Sequence, residues 1–425
     1  MTSETGRDTQ GRFLPAIILV FSLFLLWGIA NSLNDILVPQ FKKAFTLTDL
    51  QSSLVQSAFY FGYFVWAIPA SLLMRRFGYK AGVIVGLVLF GCGALLFLPA
   101  AEARVYGLFL GALFVIASGL AFLETSANPL MSVLGSSETA ARRLNFAQSF
   151  NSLGVIAGSL IGQAFILTGH EPSTEELAAM DHASLDAFRI AEAATVKGPY
   201  LVLALGVLAL AVVAFLTAFP KTRDEEETTA DSHVGVMSLL GDGRVMFGVL
   251  AQFLYVGAQV GIWSFLIRYG TYTIDGMGET AAAKVLTASF VAFMIGRFAS
   301  TAVMTRVPAW AMLTTYALIN VALCAVAVVA PGITGFYALA ATSFFMSLMF
   351  PTIFALTLDG LGAKTKSASS LLVMAIIGGA VMAMLVGRMS DIMNINLAMS
   401  APLIAFVGVA AFGWSCRRRH VVVAP

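Results

Sequence analysis

Charge is what this sequence has least of. Asp, Glu, Lys and Arg make up 11% of its 425 residues, against about 25% in a soluble domain, and hydrophobic residues reach 59%. The 25 basic and 23 acidic side chains are too few to solvate the surface of a 45.0 kDa globule. The mean hydropathy of +0.87 agrees. A soluble enzyme and a disordered chain are therefore excluded. A net charge of +2, with no long basic run, argues against a nucleic-acid partner. Cysteine is equally scarce: Cys92, Cys324 and Cys416 sit in or beside apolar runs without metal-type spacing, and read as packing residues. The four histidines, His170, His182, His233 and His420, all fall outside the apolar runs, which argues against a buried metal or a His-based catalytic site. The chain has no His-Glu-x-x-His, no Gly-x-Gly-Asp and no phosphate-cradling loop ending in Lys-Ser/Thr. Those absences disfavour an intramembrane protease and ATP-driven transport, and no cofactor or metal is expected. What remains is a polytopic, all-α membrane protein.

A membrane-spanning helix needs about 20 mainly apolar residues. Twelve runs meet that length: 14–40, 53–75, 81–100, 105–134, 144–168, 198–219, 244–268, 281–304, 309–330, 333–359, 366–388 and 397–416. The first is too long, and too polar inside, for a cleaved signal peptide. Two loops are long. Residues 169–197 hold a polar amphipathic stretch, Ser173–Glu192, and 220–243 read as a flexible linker with the acidic run Asp224–Glu227. The expected organisation is a tail (1–13), a six-helix bundle (14–219), the linker (220–243), a second six-helix bundle (244–416) and a tail (417–425). With the N-terminus inside, sixteen basic residues fall on the inner side and eight on the outer, Arg297 lying near the inner end of the eighth run. The positive-inside rule then puts both termini in the cytoplasm. Shifting the first half by 222 positions sets Arg75 on Arg297, Pro129 on Pro351 and Arg142 on Lys364. That internal repeat fits two parallel six-helix halves around a central site, a common transporter plan.

An ionisable group inside a bilayer costs several kcal/mol, which makes it a functional candidate by default. Asp35 and Glu124 are the acids well inside apolar runs; Asp275, Asp359 and Asp391 lie at run ends or in loops and read as solvated or capping. Trp27, Asn31 and Asp35 are spaced i, i+4, i+8 and share a helix face. The bland alternative sets Asp35 at the outer interface, paired with Lys42 or Lys43. Against it, Ile36-Leu37-Val38-Pro39 continues the apolar run. Glu124 has Asn128 one turn on, followed by Pro129, which can free a carbonyl for polar use. Its own bland alternative is a structural glutamate bonded to a neighbouring helix.

Amides and aromatics gather on the same runs: Gln56, Tyr60 and Tyr63; Gln148 and Asn151; Gln252, Tyr255, Gln259 and Trp263. Each amide alone could be an interhelical tie. Together they suit a sugar, which takes amide and carboxylate hydrogen bonds plus an aromatic face. Gly154, Gly158 and Gly162, at i, i+4, i+8, read as a close-packing face. The turn Met74–Lys80 reads as topology charge. The expected site is Asp35 and Glu124 for proton coupling, with Glu124, Asn128, Gln148, Asn151, Asn31, Trp27, Gln259, Trp263, Tyr255 and Gln56 binding substrate. Lacking a deep Lys or Arg to hold an anion, the substrate is expected to be neutral.

Five segments carry a resemblance: Asn34–Phe41, Gln56–Tyr63, Leu123–Pro129, Arg143–Ser152 and Tyr255–Gln259. They resemble the fucose/galactose/glucose–proton symporter family of the major facilitator superfamily, and the likeness runs through all twelve runs, including Trp263–Tyr269 and Phe350–Phe354. The resemblance implies two six-helix bundles rocking about a midplane cavity. It also implies that Asp35 and Glu124 match the family's two essential membrane acids, and that Gln148 and Asn151 match its polar residues on the fifth helix. Ser32 stands where Asn is expected and Ser367 where Tyr is; both are smaller, so the preferred sugar could differ. Met74 replaces the usual Asp of the superfamily's acidic signature. The expectation is proton-coupled import of a neutral monosaccharide, L-fucose first, with galactose, glucose or arabinose as alternatives. It extends to a monomer in the bacterial inner membrane, Glu124 facing the sugar and Asp35 handling the proton, or the reverse. A proton-coupled exporter of cationic compounds also wants buried acids but predicts few amides. A membrane enzyme or a sugar receptor that does not transport remains from other classes.

Overall fold

In a bilayer every backbone N–H must be satisfied within its own segment or a closed sheet, and apolar runs of this length can do so only as helices. A computed structural model describes residues 4–45, 49–133, 136–166, 180–219 and 236–417, and contains no strand among them. The first half holds α1 (Glu4–Phe45), α2 (Asp49–Leu95), α3 (Phe97–Ala103), α4 (Tyr106–Val133), α5 (Ala140–Phe165), α6 (His182–Ala194) and α7 (Lys197–Leu216). The second holds α8 (Gly243–Thr273), α9 (Glu279–Val303), α10 (Ala309–Val329), α11 (Ile333–Met346), α12 (Met349–Leu358), α13 (Thr365–Met374), α14 (Gly378–Ile392) and α15 (Ser400–Ser415).

Nine helices among the described residues are long and apolar enough to cross a membrane. One of them, Ala58–Ala103, covers the run 81–100 and most of the run 53–75. At 47 residues α2 would measure about 70 Å, more than twice the hydrocarbon core, and it turns back at Gly78 (φ 79°, ψ 173°). That φ is the left-handed region where glycine escapes the Cβ clash. The remaining runs are those of α1, within which Ile18–Asn34 is apolar, and α5. The α5 run is more polar than the others, interrupted by Asn145, Gln148, Asn151 and three serines. α1 begins at Glu4, ahead of the expected residue 14. Of the linker 220–243 and the stretch Ser173–Glu192, residues 220–235 and 173–179 lie outside the described residues. The rest of that stretch enters α6, capped by Asp181, whose carboxylate accepts from the Ser184 N–H at 2.9 Å. The Ser184 bond holds the Asp181 carboxyl below its usual range, so the cap persists until pH falls through that depressed value. Gln40 ties α1 to the end of α6 through Glu192 and Thr195.

The chain divides into two compact units, Met1–Ala127 with Phe150–Pro220, and Asn128–Ser149 with Lys221–Pro425. In the first, α1 and α5 cross backbone to backbone. A Cβ on Gly28 would lie 2.1 Å from the Asn151 carbonyl oxygen, and one on Gly154 would lie 2.1 Å from that of Leu25. Gly158 and Gly162 continue the seam against Ile29 and Ile36, as the glycine spacing predicts. Gly154→Val should therefore force the helices apart, costing roughly 1–3 kcal/mol or more. Gly107→Ala, with nothing within 4 Å, should be neutral. Thermal unfolding and monodispersity in detergent compare the two. In the second unit α8 is central: Tyr255, Ile262, Leu266 and Tyr269 are buried with Phe336, Leu339 and Phe406.

Basic residues close three helix ends. Lys80 Nζ donates to the Phe215 and Thr217 carbonyls at the end of α7 at 2.7 and 2.8 Å. Arg143 donates to the Met131 and Ser132 carbonyls in the last turn of α4 and to that of Ser136 beyond it. Arg244 donates to the Asp359 carbonyl at the end of α12. Cations at helix C-termini satisfy orphan carbonyls and complement the dipole. Lys80, read from sequence as topology charge, is thus also a cap.

Candidate functional site

The glycine crossing of α1 and α5 brings polar side chains into the first unit's interior. Asn151 Nδ2 donates to the Phe24 carbonyl at 3.3 Å, and Trp27, one position before Gly28, is buried against Phe24 with ring centroids 5.8 Å apart. Asn31, one turn further, is half-buried. On α4, Glu124 is 1% exposed, among Leu123, Thr125 and Ser126, all buried. α2 approaches α4 through Gly62, where a Cβ would lie 2.7 Å from that of Ala117. The next residue, Tyr63, is buried and lies close enough to Glu124 for the two to interact electrostatically. A proton on Glu124 therefore changes the field that the Tyr63 hydroxyl meets. Tyr63 was not among the expected site residues; its place on the face of Gln56 and Tyr60 was the available signal. Asp35 and Gln56 lie on α1 and α2, but their side chains are outside the described residues.

In the second unit Asn128 and Gln148 are both buried, and the Gln148 Nε2 donates to the Asn128 Oδ1 at 3.0 Å. Asn145, not anticipated, donates to the Ala141 carbonyl and to the Thr352 hydroxyl, each at 2.9 Å. Along α8, Tyr255, Gln259 and Trp263 follow at one-turn intervals. Tyr255 is fully buried and its hydroxyl donates to the Met346 carbonyl at 3.1 Å. Trp263 Nε1 donates to Ser343 Oγ at 3.0 Å, and its ring meets Phe290 and Phe293 edge-on. Gln259 is half-buried.

The expectation of no deep Lys or Arg fails. Arg297 is 3% exposed: Nε donates to the Ser347 carbonyl at 2.7 Å, a terminal nitrogen donates to that of Gln148 at 2.9 Å, and the guanidinium lies 4.5 Å from the Phe293 centroid. Lys366, counted as a loop cation, is 2% exposed. Both stand near run ends, where a long cationic side chain ordinarily reaches water, so sequence position alone could not reveal their burial. The acceptor for Arg297 has a local cause. Pro351 has no N–H, leaving the Ser347 carbonyl four residues earlier without a helical donor, at the interruption between α11 and α12. A Cβ on Gly296 would lie 2.4 Å from the Phe344 oxygen, and this close approach lets Arg297 reach that carbonyl. Among the described residues no group of three His, Cys, Asp or Glu could hold a metal.

Two features decide the relationship: a twelve-run helical chain with an acid on α4, and a sequence match of residues 17–374 to the pattern that defines the Major Facilitator Superfamily. The chain belongs to the major facilitator superfamily. Within it, the chain is 45% identical over 406 residues to the L-fucose-proton symporter of Escherichia coli K12, covering 94% of this chain and 92% of that one. It is 37% identical over 411 residues to a glucose/galactose transporter of Brucella abortus, covering 96% of each. The crystal structure of the superfamily transporter FucP in the outward conformation superposes with a TM-score of 0.88 at 43% identity, covering 95% of this chain and 99% of that one. The xylose–proton symporter XylE, at 14% identity and a TM-score of 0.69, shares the fold, with 96% of each chain covered. The protein has the twelve-helix superfamily fold of two six-helix bundles and is a membrane transporter rather than an enzyme.

Proposed function

We propose that this protein imports a neutral monosaccharide, L-fucose, in symport with a proton by alternating access. The observation that carries the proposal is the 45% identity, over nearly the whole chain, to the E. coli L-fucose-proton symporter. The burial of Glu124 beside Tyr63 supports it. Glu124 serves as the group that senses both sugar and proton, and Asp35 as the principal proton carrier. Trp27, Asn31, Gln56, Asn128, Gln148, Asn151, Gln259 and Trp263 supply donors, acceptors and an aromatic face to the sugar. Tyr255, its hydroxyl already committed to the Met346 carbonyl, contributes wall rather than a donor. The bundles are taken as 14–219 and 244–416, joined by 220–243. The protein works as a monomer in the bacterial inner membrane, both tails (1–13 and 417–425) in the cytoplasm.

A second reading, a glucose or galactose symporter, has its own support in the Brucella abortus relative and in the small, buried Ser32 and Ser367. Uptake into proteoliposomes distinguishes the two when L-fucose, D-galactose, D-arabinose and D-glucose are offered with and without an inward proton gradient. L-fucose should accumulate only with the gradient and be competed least by glucose. Accumulation without any gradient refutes symport, and failure of all four sugars to compete refutes the substrate class.

A further inference from the structure

Between the ends of α5 and α9 lies an open cleft of about 450 Å³ that the transport proposal does not use. It falls within the roughly 300–1,000 Å³ range of small-molecule sites. Its lining is mostly apolar, with Phe146 and Phe298 exposed at 42% and 38%, yet two guanidiniums, Arg142 and Arg143, border it. Arg143 is fixed on the carbonyls that end α4, whereas Arg142 is exposed. On the facing wall Thr301 and Thr305 already donate their hydroxyl protons to the Arg297 and Ala302 carbonyls. The cleft can therefore offer an anion N–H groups from Arg142, beside the fixed charge of Arg143. Two adjacent like charges repel each other, and a phosphate between them would relieve that cost.

We propose that this cleft binds one anionic phospholipid, its phosphate on Arg142 and an acyl chain along Phe146 and Phe298. A soluble anion would leave both phenylalanines uncovered, and a zwitterionic lipid brings a cation of its own to two arginines. An anionic lipid satisfies both halves of the lining. On the proposed topology the cleft opens at the cytoplasmic leaflet, whose anionic lipids attract each nearby Lys or Arg by about 1 kcal/mol.

The test is native mass spectrometry on the full chain, delipidated in detergent and titrated with phosphatidylglycerol, phosphatidylcholine or inorganic phosphate. One phosphatidylglycerol should be retained in clear preference to phosphatidylcholine. Arg142→Gln should weaken it roughly fivefold and Arg142→Glu roughly thirtyfold, from that attraction at 1.4 kcal/mol per decade. Lys284→Glu, an exposed charge reversal on the far end of α9, should change nothing. Millimolar phosphate should not displace the lipid. Equal retention of phosphatidylcholine, undiminished binding in the Arg142 variants, or displacement by phosphate would each overturn the proposal. Arg143 is left unchanged because it holds α4. The wild-type lipid preference stands as a test even where a variant fails to fold, and since no sugar is involved it can fail or succeed apart from the symport proposal.

Discussion

Glu124→Gln should collapse proton-driven accumulation to the level of passive equilibration while leaving sugar exchange across the membrane intact. The expected loss is large because the driving force is large. A potential of 100 mV and one pH unit supply about 2.3 and 1.36 kcal/mol per proton. Their sum of about 3.7 kcal/mol supports accumulation of several hundredfold. Glutamine has the shape of a neutral carboxylic acid and can both donate and accept, but it cannot lose or gain a proton. Were Glu124 a structural tie, the same substitution would preserve the tie and coupling would survive. Accumulation under an imposed gradient, set against counterflow exchange without one, reads the difference directly. Asp35→Asn is the companion variant: coupling retained in both would remove the carboxylates from the mechanism.

The glycine spacing on α5 was legible because i, i+4, i+8 glycines have few uses in a membrane helix, and the seam with α1 follows from it. Glu124 was legible because an acid deep in an apolar run has few bland explanations. Arg297 was not legible. Its position near a run end suits an ordinary interfacial cation, and only the approach of α9 to α11 at Gly296 turns it inward. Tyr255 shows the opposite limit. Periodicity set it on the face of Gln259 and Trp263, but whether its hydroxyl meets sugar or protein depends on the α11–α12 interruption, which twelve uninterrupted runs did not foresee. The repeat shows the same divergence. Met346, the counterpart of Glu124, has no acid to offer; its carbonyl and that of Ser347 instead receive Tyr255 and Arg297.

That interruption makes Arg297→Met the second large effect: uptake should fall roughly tenfold or more, the equivalent of about 1.4 kcal/mol or greater. Hydrogen bonds to a charged group contribute about 1.5–3 kcal/mol, well above the ~0.6 kcal/mol average of interhelical polar ties in bilayers. Arg297 makes two of them and covers the face of Phe293. The Ser347 carbonyl has no fallback, since Pro351 cannot donate. Lysine keeps the charge but loses the planar fork and the stacking, so activity should rank wild type, then Arg297→Lys, then Arg297→Met. Because the second bond grips the Gln148 backbone, whose side chain holds Asn128, the apparent KM for sugar should rise in Arg297→Lys even where its melting temperature in detergent matches wild type. A raised KM without a stability loss assigns Arg297 to positioning the amide pair. A melting temperature that falls while KM stays fixed confines it to the fold.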